Sequence, residues 1–125
     1  PLLVWLIYAA NLLWTVAYDT FYAMVDKEDD EKIGVKSTAR LFGKYNLWII
    51  AVLQLGMLAL LEWAGALAGL GWPFSVALVV VLLLFMQQHR MARRGRDGCF
   101  RAFLHNHYVG MLVFAGIALS YLLQG

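Results

Sequence analysis

Three aspartates close to one another in the chain are the residues best placed to do chemistry: Asp19, Asp26 and Asp30. On a helix of about 100° per residue they fall within about 40° of one another and share one face. Asp26 and Asp30 lie one helical turn apart and could share a cation, whereas a straight helix separates Asp19 from Asp30 by about 16 Å. Either the helix breaks and the three carboxylates meet, or they serve different ions.

Carboxylates held this close repel one another, and a hard divalent cation offsets that repulsion. Mg²⁺ prefers carboxylate oxygens and commonly binds together with substrate phosphates. Basic side chains that suit phosphate oxygens follow in the sequence: Lys32, Lys36 and Arg40. Acids for a metal and bases for phosphate, next to an apolar segment, favour a lipid diphosphate as substrate. The alternative is a solvated charged segment that caps a membrane span, and the spacing alone leaves both interpretations open.

The elements that carry these residues are predicted to be membrane helices. Of the 125 residues, 62% are hydrophobic and 14% are charged, and the mean hydropathy is +0.68, which is too apolar for a soluble domain of this size. Stretches nearly free of charge are long enough to cross a bilayer. The sequence therefore predicts an all-α, polytopic membrane helix bundle with about four transmembrane helices, at about 1–18, 46–63, 73–89 and 104–123.

The basic residues predict how these spans are oriented. All 10 Lys and Arg residues lie in the connections 19–45 and 90–103, and none lies in the connection 64–72. Basic loops remain cytosolic, so the acidic segment 19–45 is expected to face the cytosol and the C-terminus the periplasm. The arginines between 90 and 103 fit anionic lipid headgroups, and no nucleic acid partner is expected. We interpret His89, His105 and His107 as polar residues at helix ends rather than metal ligands.

The acidic segment also resembles a known motif. Tyr18 to Asp26, followed by Asp29-Asp30 and by Lys32 to Thr38, is similar to the second aspartate-rich motif of the UbiA family of intramembrane aromatic prenyltransferases. The similarity continues along essentially the whole chain, through Arg40-Leu41-Phe42-Gly43, Gly69-Leu70-Gly71-Trp72, Cys99-Phe100-Arg101-Ala102-Phe103 and Asn106-His107-Tyr108-Val109-Gly110.

The resemblance implies a fold and a place in it. The family fold is an all-α bundle of nine membrane helices around a central cavity, with two aspartate-rich loops facing each other. Residues 1–125 would be the C-terminal part of one such transmembrane domain and would hold its last four helices. The chain begins inside an apolar run without an initiator Met, which agrees with missing N-terminal helices of the same protein.

The implied reaction is transfer of a polyprenyl group from a polyprenyl diphosphate to an aromatic acid. The closest resemblance is to members that prenylate 4-hydroxybenzoate ortho to its hydroxyl in ubiquinone biosynthesis. By the same resemblance, Asp19, Asp26 and Asp30 match the acids of the motif and would be catalytic ligands of Mg²⁺. Lys36 would contact the diphosphate, and Tyr22 would line the cavity or orient an acid. Two further basic residues complete the candidates for substrate binding: Lys32 and Arg40.

Part of the family pattern is absent from the chain. The first aspartate motif, Asn-Asp-x-x-Asp-x-x-x-Asp, does not occur, so we expect the chain to be inactive alone. A family member of this kind would lie in the bacterial inner membrane, or in the mitochondrial inner membrane of a eukaryote. One alternative is a prenyltransferase with another acceptor. Another is a cation transporter, which would place ionisable groups at the membrane midplane, whereas these spans are nearly free of charge.

Overall fold

The computed structural model describes residues 1–25 and 46–124. Four α-helices account for nearly all of them: α1 Leu2–Val25, α2 Asn46–Leu67, α3 Trp72–Ala92 and α4 Arg96–Gln124. Each helix is long and apolar enough to cross a membrane, and these two ranges contain no strand. The predicted class, an all-α bundle with four membrane helices, is confirmed for the described part of the chain.

All four helices extend beyond the predicted spans, and α1 and α4 do so most. Helix α1 continues to Val25, so Asp19 and Tyr22 lie on a helix and not in the predicted loop. Helix α4 already begins at Arg96, well before the predicted span. Hydropathy marks the apolar part of a helix, whereas the backbone hydrogen bonds continue through charged residues wherever water or protein can solvate the side chains.

Glycines and a proline form the turns between consecutive helices. Gly69 has φ +75°, and the Leu70 N–H donates to the Gly65 carbonyl at 2.9 Å, which is the pattern of a helix end closed by a left-handed glycine. Pro73 then stands in the first turn of α3, where its missing N–H costs nothing. Gly95 has φ +105° between α3 and α4. These short turns make α2, α3 and α4 antiparallel neighbours.

The helices do not contact one another equally. Helix α3 packs most extensively on α4, and α1 packs on α2 and less extensively on α4, whereas α2 and α3 touch sparsely. Small residues allow the closest approach, since a Cβ added at Gly116 of α4 would lie 2.6 Å from the Ala77 Cβ of α3. Helices α1 and α2 thus pack tightly as one pair, and α3 and α4 as another. Because α2 and α3 touch only sparsely, a groove runs between them.

The core consists of two clusters of buried apolar residues. The first lies where α1 ends and α4 begins: Ala17, Phe21, Ile50, Ala92, Cys99 and Ala102. The second lies deeper in the bundle: Ala10, Met57, Val81, Phe85 and Val109. The first cluster fixes the end of α1 that carries Asp19 and Tyr22, which are the predicted site residues that the structure describes.

Candidate functional site

Asp19 and Tyr22 lie on the last two turns of α1. The Asp19 carboxylate is exposed and forms no ion pair or hydrogen bond with another described residue. Among the described residues it therefore has no partner, and it lies at the end of the bundle where α4 begins. The remaining predicted site residues lie outside the described residues: Asp26, Asp30, Lys32, Lys36 and Arg40.

An aromatic ladder holds this end of α1 against α4. Trp14, Tyr18 and Tyr22 recur every four residues, so they lie along one side of the helix. The Tyr18 ring is 6.0 Å from the Phe103 ring, and the Tyr22 ring is 5.0 Å from the same phenyl ring. Ring pairs at these separations add directional packing to the burial of apolar area. The ladder therefore sets the rotation of α1, which leaves the neighbouring Asp19 exposed.

A hydrogen bond anchors the ladder deeper in the bundle. The Trp14 Nε1–H donates to Asn106 Oδ1 at 3.0 Å, and the Asn106 amide in turn donates to the Ala102 carbonyl at 3.0 Å. Asn106 is buried on α4, where a polar side chain needs a partner inside the protein. The interhelical bond thus satisfies Asn106 and fixes the height of α1 relative to α4.

A second set of polar side chains joins the other three helices. Gln54 of α2 is 2% exposed, and its Nε2 donates to Oε1 of Gln88 of α3 at 3.1 Å. Gln88 is 0% exposed, and its Nε2 lies 3.3 Å from Nδ1 of His105 of α4. His89 Nε2 lies 2.8 Å from Gln54 Oε1 at the other end. We call these four residues the amide–imidazole chain.

The orientation of the two glutamine amides determines which group donates and which accepts at each step of the amide–imidazole chain. Nε2 of His89 donates to Gln54, Gln54 donates to Gln88, and Gln88 donates to an unprotonated Nδ1 of His105. The His89 ring also meets the Phe21 ring of α1 edge-on, at 5.9 Å. The chain therefore spans α2, α3 and α4 and ends against the helix that carries Asp19.

The sequence pattern does not single out Gln54 and Gln88, and it places His89 and His105 only at helix ends. Uncharged polar residues inside a span were the signal that could have singled out the two glutamines. Their pairing depends on the register between α2 and α3, which hydropathy does not contain. The histidines are half-buried and hydrogen-bonded to these glutamines.

The described residues do not form a complete metal site. Within residues 1–25 and 46–124, no three His, Cys, Asp or Glu side chains converge on a point that could hold an ion. Asp19 offers one carboxylate, of the kind that Mg²⁺ prefers, that pairs with no other residue of 1–25 and 46–124. This donor fits a shared site, to which residues beyond the described part of the chain would contribute.

Comparisons with known proteins identify close relatives. Over 122 residues, the chain is 54% identical to proteins named 4-hydroxybenzoate octaprenyltransferase from Escherichia coli O9:H4 (strain HS), Shigella flexneri and Salmonella paratyphi B (strain ATCC BAA-1250 / SPB7). Each alignment covers 97% of this chain and 42% of the relative, so the chain spans about two fifths of the length of these proteins. No solved structure gives a significant match. The UbiA prenyltransferase family model matches residues 1–112, and the chain therefore belongs to the UbiA prenyltransferase family.

Proposed function

We propose that this chain supplies part of the active site of a Mg²⁺-dependent prenyltransferase that transfers a polyprenyl group from polyprenyl diphosphate to 4-hydroxybenzoate. The observation that carries the proposal is the 54% identity to proteins of that name over 97% of the chain. Ubiquinone biosynthesis would be the pathway served. Because the chain spans 42% of those relatives, activity would require helices beyond residues 1–125.

In the proposed reaction, the bond between the allylic carbon and the diphosphate oxygen breaks, and a carbon–carbon bond forms ortho to the ring hydroxyl. The ring then loses the proton from that carbon and regains its aromaticity. Asp19 would contribute a carboxylate oxygen to the cation that accompanies the diphosphate, and Asp26 and Asp30 would complete its ligands on this side. When bound, Mg²⁺ would supply the positive charge that stabilises diphosphate as a leaving group.

The other residues of the chain would position the diphosphate and exclude water. We infer that Lys36 contacts the diphosphate and that Lys32 and Arg40 add basic groups nearby. Tyr22 would form an aromatic wall beside Asp19, because its ring is fixed at 5.0 Å from the Phe103 ring. A wall of this kind would keep water away from the allylic cation.

We also propose an orientation in the membrane. The end of the bundle where α3 ends and α4 begins carries Arg90, Arg93, Arg94 and Arg101. Basic residues at a membrane boundary remain cytosolic, so Asp19 would face the cytosol and the C-terminus the periplasm of a bacterial inner membrane.

The proposal is tested by replacing Asp19 with Asn in the full-length protein that contains this chain. Removal of a ligand charge should lower kcat/KM for prenylation by at least about a hundredfold, because several kcal/mol of charge stabilisation depend on the bound cation. The Mg²⁺ concentration for half-maximal rate should rise as well. Both quantities are measured with membranes, 4-hydroxybenzoate and a labelled prenyl diphosphate.

Asp97→Asn is a matched control, since Asp97 is also an exposed carboxylate at this end of the bundle but lies on α4. We expect this variant to keep the parental rate and the parental Mg²⁺ requirement. Equal loss in both variants would indicate a general effect of charge, and an unchanged rate in Asp19→Asn would refute the assignment of Asp19.

A further inference from the structure

The seam between α2 and α3 opens into a groove. The groove has a volume of about 710 Å³, within the range of about 300–1,000 Å³ that small-ligand sites occupy. Residues of α2 and α3 line it, and Asp19 and Tyr22 of α1 do not. We call it the α2–α3 groove.

The groove is charged at one end and apolar along its length. Arg90 and Arg93 stand at the end where α3 ends, one helical turn apart. Both side chains are exposed, and neither forms an ion pair with a carboxylate of the described residues. The side chains of Leu55, Leu82 and Met86 form its apolar walls. From Arg90 to Leu82 these walls extend about 12 Å along α3, at about 1.5 Å per residue.

Two further side chains match the interface of a bilayer. Trp48, at the start of α2, lines the same end of the groove with an exposed indole ring, the position that amphipathic aromatic residues favour at lipid headgroups. Gln54 and His89 form a polar patch in the wall, and their hydrogen bond to each other leaves the arginines as the groups able to bind an anion. The groove therefore offers a cationic mouth followed by an apolar channel.

We propose that the α2–α3 groove binds an anionic phospholipid, with its phosphate at Arg90 and Arg93 and an acyl chain along the apolar walls. Charge complementarity selects an anionic headgroup, and basic pockets between membrane helices are sites where such headgroups bind. The length of the apolar walls favours a lipid over a free phosphate, which would need only the mouth. This proposal goes beyond the prenyl transfer, and neither Asp19 nor Tyr22, the two proposed active-site residues that the structure describes, lines the groove.

The experiment measures lipid binding to the full-length protein by native mass spectrometry. Dioleoyl-phosphatidylglycerol is titrated into the purified protein in a zwitterionic detergent, with dioleoyl-phosphatidylcholine as a neutral comparison. We expect the double variant Arg90→Gln/Arg93→Gln to bind phosphatidylglycerol at least about tenfold more weakly, since each basic group near a surface contributes appreciably to anionic lipid binding. Phosphatidylcholine binding should not change.

The matched control removes the same charge from a neighbouring hollow. Arg94 and Arg101 lie beside the groove and do not line it. Arg94→Gln/Arg101→Gln should therefore change the affinity for phosphatidylglycerol less than about twofold. Equal weakening in the two double variants would overturn the proposal, because general electrostatic attraction would then explain the binding.

Two further measurements test whether the phosphate bound at Arg90 and Arg93 belongs to a lipid. Ala51→Trp fills the groove beside its walls and should weaken phosphatidylglycerol binding as strongly as the arginine pair does. Inorganic phosphate at the same free concentration should not displace the lipid. Displacement by phosphate together with no effect of Ala51→Trp would show a free-phosphate site, and displacement by geranyl diphosphate would assign the groove to the prenyl substrate. Either result would overturn the proposal.

Discussion

Gln88 offers the sharpest test of what holds the bundle together. Its side chain is fully buried and bonds to α2 through Gln54 and to α4 through His105, at 3.1 and 3.3 Å. Replacing Gln88 with Leu keeps a similar volume and removes both bonds. Interhelical hydrogen bonds in membranes average about 0.6 kcal/mol and reach about 1.7. Leaving the Gln54 amide without its acceptor adds about 1 kcal/mol or more.

We therefore expect Gln88→Leu to lower the free energy of unfolding by about 2–3 kcal/mol. The measurement is steric trapping, or titration with SDS, of the full-length protein in bicelles. Gln87→Leu is the matched control, because the preceding residue has the same side chain but is exposed. Its effect should remain within about 0.5 kcal/mol. Equal destabilisation by the two variants would refute the argument, since the hydrogen bonds of Gln88 would then contribute nothing measurable.

A double-mutant cycle distinguishes the Gln54–Gln88 bond from the loss of packing. Gln54→Leu leaves Oε1 of Gln88 and Nε2 of His89 each without the partner that Gln54 supplies, whereas the double variant places two apolar side chains in contact. The double variant should be about 1 kcal/mol less destabilised than the sum of the single variants. Additive effects would mean that the two glutamines act independently.

Two other predictions concern helix contact and orientation. Gly116→Ala adds a Cβ that would lie 2.6 Å from the Ala77 Cβ, so we expect about 1–3 kcal/mol of destabilisation in the same unfolding measurement. Gly110→Ala is the control, because a Cβ added there would lie 3.4 Å from the nearest atom, a carbon of the Trp14 ring, and the gain in helix propensity is the same. Equal stability of the two variants would contradict the close approach of α3 and α4 at Gly116. Alkaline phosphatase fused after Gly125 should be active in the periplasm and inactive when inserted at Gly95, and the reverse pattern would overturn the proposed orientation.

Hydropathy was sufficient to predict that the described chain forms four membrane helices, because only helices and closed barrels satisfy the backbone within a bilayer. Hydropathy did not predict where α1 ends, which is the end that carries Asp19 and Tyr22. The apolar run ends before Asp19, but helix α1 continues to Val25, so Asp19 and Tyr22 belong to a rigid element. Hydropathy measures the transfer of side chains to lipid, whereas a helix ends where its backbone hydrogen bonds end.

The candidate site was predictable in part, because its acids and aromatic residues follow one another in the sequence. The assignments of Asp26, Asp30 and Lys36 remain predictions, since these residues lie outside the described part of the chain. The contacts between helices that position the site could not be predicted in the same way. Asn106 is one of several polar residues on α4, and its bond to Trp14 joins residues 92 positions apart. Such a contact depends on the relative height of two helices, which no local pattern specifies.

One turn of α4 determines where α1 places Asp19. Phe103 contacts the Tyr18 and Tyr22 rings on α1, and Asn106 accepts the hydrogen bond from the Trp14 indole of the same helix. Between them, His105 receives the hydrogen bond of Gln88 from α3. Successive residues of a helix point in different directions, so a single turn can hold α1 on one side and α3 on the other. A displacement of α1 relative to α4 would therefore break the aromatic ladder and the indole bond together. That coupling gives Asp19 a defined position although its own carboxylate bonds to no described residue.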